Sequence, residues 1–233
     1  MDRILPKPDK FASCPYQGKI LSYYHGYFEA VFIVLHPFLK PRLDKIKYFK
    51  SDSGVENDFP SDSQILSWCS PVTWTEFLEV SGIDNLQNLD GALRNSIFGL
   101  KDRKRFQSHT DALVSTLQTQ DLIAPDEGDI PCILLPRICQ ALQSLGYKWA
   151  WLGDEFCTER KLKWIEELDI AEIYCHGCIF TPDHKILLVS HWDSHCTFLC
   201  SSKGKISQFV QEAELEGFYC TPQTEVYWGL SEI

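Results

Sequence analysis

The stretch KILLVSHWDSHCTFLC, residues 185–200, constrains the fold more than any other part of the chain. KILLVSHW and HCTFLC are both strand-like, and between them stand two turn formers, Asp193 and Ser194. One uninterrupted strand would run about sixteen residues, well beyond the usual five or six. The chain must therefore reverse at HWDSH. The last third then reads as an antiparallel meander of Glu172–Phe180, Lys185–Trp192 and His195–Ser201, with turns at TPDHK and WDS. The 185–192 strand is apolar on both faces, which places it centrally. A short helix, Ile206–Ala213, and two short strands, Gly217–Cys220 and Glu225–Trp228, carry the pattern to about residue 228.

EAVFIVLHPFL, residues 29–39, is a second buried strand, continuous in apolar character and stopped by Pro37, and it is expected to join the same sheet. The acidic stretch SDSGVENDFPSDS, 51–63, reads as a loop or linker. From about 63 to 168 the period is helical. Ser63–Ser70 is stopped by Pro71; Thr73 and Glu76 form a capping box, with Gly82 at the far end of that helix. Further helices are expected over Leu89–Phe98 and Phe106–Gln120, around Ile138, Ala141, Leu142 and Leu145, and after Thr158 with Leu162, Ile165 and Leu168 inward. Strands, helices, then strands predict a single α+β domain over 1–233, a largely antiparallel sheet with the helical section packed on one side.

A net charge of -10 argues against binding duplex nucleic acid, which requires a basic surface. The helix–Gly–helix outline at 73–98 offers only Arg94 to a phosphate, beside Asp84 and Asp90, and reads as a packed helix pair. The longest apolar run, Ala30–Leu35, is far shorter than the ~20 residues of a membrane helix. MDRILPKPDKFASCPYQ has no apolar core of a signal peptide, so a cytoplasmic location is expected, with no membrane partner. Ten cysteines spread from Cys14 to Cys220 without a compact framework, which in that compartment predicts reduced thiols. His109, on the stripe between Phe106 and Leu113, reads as a core residue. There is no G-x-S-x-G and no phosphate-cradling glycine loop.

Residues 175–200 hold four cysteines, four histidines and two aspartates. Cys175 and Cys178 form half of a zinc pattern whose second C-x-x-C is missing. Register then decides the chemistry. With a three-residue loop Trp192–Ser194, His191 and His195 become cross-strand neighbours ~5 Å apart. A Thr181–Lys185 loop would set Phe180 opposite Ile186 and Cys175 opposite His191. Cys175, His191 and His195 would form one row with Asp193 at its tip, a donor set for zinc or a nonhaem metal. With a two-residue Asp193–Ser194 loop, Trp192 faces His195, His191 turns to the opposite face, and the row breaks.

HWDSHCTFLCSS and EGFYCTPQTEVYW, with FEAVFIVLHPFL, resemble an uncharacterised bacterial family classed only as a domain of unknown function. The resemblance spans most of the chain and implies a bacterial cytosolic protein; it carries over no activity and no functional residue. The acidic α+β outline is also similar in architecture to bacterial immunity proteins, which neutralise toxins by binding them. Two functions are weighed. One is a non-catalytic module with a protein partner, its surface patch formed by Glu212, Glu214, Glu216 and Glu225 beside Tyr219, Tyr227 and Trp228, in a segment, 206–233, without Lys or Arg. The other is a metal-dependent hydrolase in which zinc on His191, Asp193, His195 and Cys175 would activate water.

Overall fold

A strand from the first forty residues is inserted between strands from the last forty, so the two ends of the chain share one sheet. The computed structural model describes residues 7–49, 60–102, 104–154, 158–169, 172–173 and 177–230. The strands are β1 Ala30–Leu35, β2 Phe38–Pro41, β3 Cys69–Val72, β4 Trp149–Gly153, β5 Arg160–Trp164, β6 Cys178–Phe180, β7 Leu187–Ser190, β8 Cys196–Ser201 and β9 Gly217–Tyr219. The helices are α1 Ile20–Tyr24, α2 Asp62–Trp68, α3 Trp74–Ser81, α4 Leu86–Ser96, α5 Gln107–Thr119, α6 Leu135–Ser144 and α7 Lys203–Glu212. Seven strands lie in the order β5-β4-β6-β7-β8-β1-β9, all antiparallel, and β2 and β3 form a separate pair. The α+β class and the antiparallel sheet are as the sequence predicts.

Strand β1 is buried at all six positions because both of its faces are covered. Val31, Ile33 and Leu35 join Leu187, Val189 and Phe198 against Tyr24, Phe77, Leu89, Leu93 and Leu113, from α1, α3, α4 and α5. Phe32 and Val34 join Leu188 and Leu199 against Ile138, Leu142, Ile206 and Phe209, from α6 and α7. Covering on both sides is what makes such strands continuous rather than alternating in hydrophobicity. The helices therefore divide between the two faces, rather than packing on one side.

Several local expectations change. The segment after Thr158 is not a helix but β5, paired with β4 along five positions, with Trp149 and Trp164 stacked 3.6 Å apart. It is an edge strand, exposed at Arg160, Lys161 and Leu162, and edge strands commonly carry such charges. Only Ile165–Glu167 makes a helical turn. The 29–39 run splits at His36 and Pro37, and Phe38–Pro41 leaves to pair with β3. Glu225–Trp228 is no strand: Glu225 makes a single bridge to Lys19, and the chain then turns. Of the described residues in Glu172–Phe180, Cys178–Phe180 form the strand, and residues 174–176 lie outside the described residues. The Thr73–Glu76 capping box is present, and Gly82 closes α3 in the left-handed conformation at φ 71°. Residues 51–59 of the acidic stretch lie outside the described residues. Among the described residues, no helix is long and apolar enough to cross a membrane. Among the described residues no cysteine is joined to another in a disulfide, while Cys157 and Cys175 lie outside the described residues.

Candidate functional site

The hairpin apex at HWDSH is closed by Ser194 N–H donating to the His191 carbonyl at 3.0 Å. Ser190 stands opposite Thr197. Carried forward, that register sets His191 against Cys196 and Trp192 against His195, the parity of a two-residue loop. The three-residue register that would align His191 with His195 is not adopted. The preceding connection shifts in the same way: Phe180 faces Leu187 rather than Ile186. The cause is Thr181, whose N–H donates to the Ile186 carbonyl (3.0 Å) and whose hydroxyl accepts from Ile186 N–H (3.0 Å), so Thr181 takes the place opposite Ile186. Cys175 lies outside the described residues.

His191 and Asp193 are brought together, with Nδ1 2.7 Å from the Asp193 carboxylate, while His191 Nε2 donates to the Tyr16 carbonyl at 3.2 Å. Both ring nitrogens thus face oxygen acceptors. Burial alone would push the Asp193 carboxyl up, but the His191 hydrogen bond, the His191 and Arg94 charges and the Tyr227 hydroxyl together hold it below its ordinary value. His195 points elsewhere, its Nδ1 donating to the Asp126 carbonyl at 3.3 Å. Burial lowers its pKa, against the raising effect of Asp90.

Arg94, on α4, is the hub. It is 2% exposed. Nε donates to Asp90 Oδ2 (2.7 Å), Nη1 to the Asp193 carbonyl (2.8 Å) and Nη2 to Ser194 Oγ (2.9 Å), and the guanidinium lies 5.1 Å from the Tyr227 ring centre. The planar fork suits this task, since its donors diverge in one plane toward a carboxylate, a carbonyl and a hydroxyl. Two close approaches make room. A Cβ on Gly91 would sit 2.2 Å from the Phe106 ring, and a Cβ on Gly229 would sit 2.2 Å from Asp90 Oδ2. Beyond this hub, His36 donates from Nδ1 to the same Asp126 carbonyl (2.8 Å), and its Nε2 accepts from Thr197 Oγ1 (2.8 Å), which in turn meets Ser190 Oγ (2.8 Å). Burial depresses the His36 pKa to about 3. Burial, followed by the charges of Asp129 and Asp62, pushes the Asp126 carboxyl up to about 6.

Chemically, this junction is a clamp. His191, Ser194 and Arg94 are buried with their polar atoms turned on one another and on Asp90 and Asp193, whereas His195, also buried, directs Nδ1 to the Asp126 carbonyl and leaves Nε2 without a hydrogen-bond partner among the described residues. Among the described residues, no three His, Cys, Asp or Glu side chains are grouped so that they could hold a metal ion.

The expected acidic patch is also redistributed. Glu216 accepts from Trp74 N–H (2.6 Å), Thr75 N–H (2.9 Å) and Thr75 Oγ1 (2.6 Å), anchoring the start of α3. Glu214 pairs with Arg137 at 3.2 Å, and Trp228 is buried. Glu225 and Tyr219 remain exposed, at the rim of a groove of about 580 Å³ whose apolar wall includes Leu78, Leu86, Phe218 and Trp228.

A family model described as "Protein of unknown function (DUF2711)" matches residues 16–230. The chain belongs to this family. A similar curated protein is the uncharacterized protein YwbB of Bacillus subtilis (strain 168), 21% identical over 183 residues that cover 77% of this chain and 81% of that protein. No solved structure matches. The sequence offered two unused signals of the junction: the i, i+4 spacing of Asp90 and Arg94, and a histidine, His36, where a buried strand ends. Neither distinguishes a buried group from an exposed one without the fold.

Proposed function

We propose that this DUF2711 protein is a non-catalytic protein-binding module, immunity-like in its mode of action. The observation that carries the reading is the apolar groove between α3, the start of α4 and the segment around β9. It is walled by Leu78, Leu86, Phe218 and Trp228 and holds no Lys or Arg. An exposed apolar surface of this kind, rimmed by polar groups, marks an interaction site more often than it marks chance. The HWDSH apex supports the same view, because His191 and Ser194 are buried and committed to the Arg94–Asp193 clamp. Capture from the native bacterium with tagged full-length protein should return a specific protein partner in stoichiometric amount, and a clean preparation with none would refute the reading.

The rival proposal, a zinc-dependent hydrolase on His191, Asp193, His195 and Cys175, draws its support from the adjacency of His191 and Asp193. Elemental analysis of protein purified without added metal separates the two: one zinc per chain would favour the hydrolase, and a metal-free chain that still captures its partner would favour the module.

A further inference from the structure

The groove does more than offer an apolar wall. Phe218 and Tyr219 are consecutive in β9, so their side chains leave opposite faces of the sheet, yet both line it. The groove therefore reaches the outer edge of the strand. Strand β9 has a neighbour, β1, on one side only. Leu35 N–H donates to the Glu216 carbonyl (3.0 Å) and Cys220 N–H to the Val31 carbonyl (2.9 Å), so residues 216, 218 and 220 turn their backbone groups toward β1. In an antiparallel ladder the alternate residues face away. Gly217 and Tyr219 thus direct their N–H and C=O groups outward, and among the described residues none pairs with them. Tyr219 is 42% exposed. The glycine is required here, since a Cβ at 217 would meet the Ile33 carbonyl at 1.8 Å.

We propose that the free edge of β9 is a docking site for an extended segment of a partner protein, added as an eighth strand. The segment would be apolar at alternate positions, to seat side chains against Leu78, Leu86 and Phe218, and would carry Lys or Arg between them. Charge complementarity selects that chemistry. Glu225 lines the groove, Glu79 and Asp84 adjoin its lining residues Leu78 and Asn85, and residues 206–233 contain no cation. Strand addition takes affinity from main-chain hydrogen bonds and specificity from side-chain pockets, and this edge offers both. The inference rests on the protein-binding reading and adds its site and partner class.

The edge tolerates a specific probe. Proline at 219 deletes an outward N–H without removing any hydrogen bond to β1, and proline is accepted at strand edges facing solvent. Tyr219→Ala removes the ring and keeps the N–H. A random dodecapeptide library displayed on phage would be selected against full-length protein, and the enriched peptides measured against wild type and both variants, with thermal melts confirming that each variant folds. The expected result is alternating apolar and basic sequences, weakened about tenfold or more by Tyr219→Pro and only about threefold by Tyr219→Ala, with hydrogen exchange slowed at Gly217 and Tyr219. Peptides that bind wild type and Tyr219→Pro alike, no enrichment, or a dimer of this chain that Tyr219→Pro dissolves would each overturn the proposal. A partner captured equally by wild type and Tyr219→Pro would remove the edge assignment while leaving the binding reading in place.

Discussion

Replacing Arg94 by methionine tests whether the buried clamp holds the hairpin apex. Methionine fills much of the aliphatic volume and removes the guanidinium, so the loss is electrostatic more than steric. Asp90, 1% exposed, would lose the donor 2.7 Å from its Oδ2, while the Asp193 carbonyl and Ser194 hydroxyl would each lose a partner. Stripping one member from a buried ion pair costs about 3–5 kcal/mol, because the remaining charge keeps its desolvation penalty. A domain is stable by only about 5–15 kcal/mol, so the variant should be visibly weakened. Urea unfolding followed by tryptophan fluorescence suits the measurement, since Trp74 and Trp228 are buried with ring centres 6.1 Å apart. The midpoint should fall with an unchanged slope. The decisive comparison is Asp90→Asn combined with Arg94→Met, which removes the orphaned charge and should recover about 1–2 kcal/mol over Arg94→Met alone. A single variant within about 1 kcal/mol of wild type, or a double variant no more stable than the single, would refute the reasoning.

Three further outcomes follow from the same structure. His36, with its pKa depressed to about 3, binds a proton more readily in the unfolded chain, so stability should fall as pH drops below the ordinary histidine value, by about 1.4 kcal/mol per unit. Asp126, raised to about 6, has the opposite sign: its stabilisation is full below the ordinary aspartate value and is lost as pH rises through 6, so it offsets His36 between about pH 4 and 6. Asp126→Asn should therefore steepen the acid loss in that window by about one proton, as read from urea midpoints at several pH values; an unchanged slope would count against it. Glu216→Ala leaves the amides of Trp74 and Thr75 without their acceptor and should cost about 1–3 kcal/mol, with Glu216→Gln losing less. A thiol reagent under denaturing conditions should count close to all ten cysteines as reduced, whereas in the folded protein Cys132 and Cys196, both pushed up to about 12 by burial, should react slowly.

The parts of the fold legible in the sequence are those whose period is set by local packing. The apolar run of β1, the reversal at Asp193–Ser194, the Thr73–Glu76 cap and the helices around Leu113 and Leu142 all follow from residue spacing. The segment after Thr158 misled because Leu162, Ile165 and Leu168, three apart, imitate a helical stripe. Its true partner, β4, is a short Trp-rich stretch between Gly146 and Gly153–Asp154, too brief to outweigh the helical spacing that follows, and Leu162 ends 45% exposed on an edge. Residues 29–39 read as one strand because hydrophobicity does not record that Pro37 sends the chain to another partner.

The candidate site depended on something finer than period. Moving a strand by one residue changes the face of every side chain, and because β7 and β8 are buried on both faces, their hydrophobic pattern does little to fix that choice. The choice falls to groups outside the strands: Thr181, which pairs its backbone and hydroxyl with Ile186, and Arg94, which grips the Asp193 carbonyl and Ser194 from α4, 99 and 100 residues earlier in the chain. An i, i+4 Asp–Arg pair usually lies on an exposed helix surface, so nothing local announces that Asp90 and Arg94 face inward and set a turn so far along the chain. The relation of His191 to His195 is thus a tertiary property. If that is right, weakening Arg94 should loosen the apex before the strands, and hydrogen exchange in Arg94→Met should rise first at Ser194, whose amide closes the turn, while the amides of Val189 and Phe198, which face each other across the β7–β8 ladder, stay protected. Equal loss of protection at all three would mean that the ladder, and not the clamp, fixes the register.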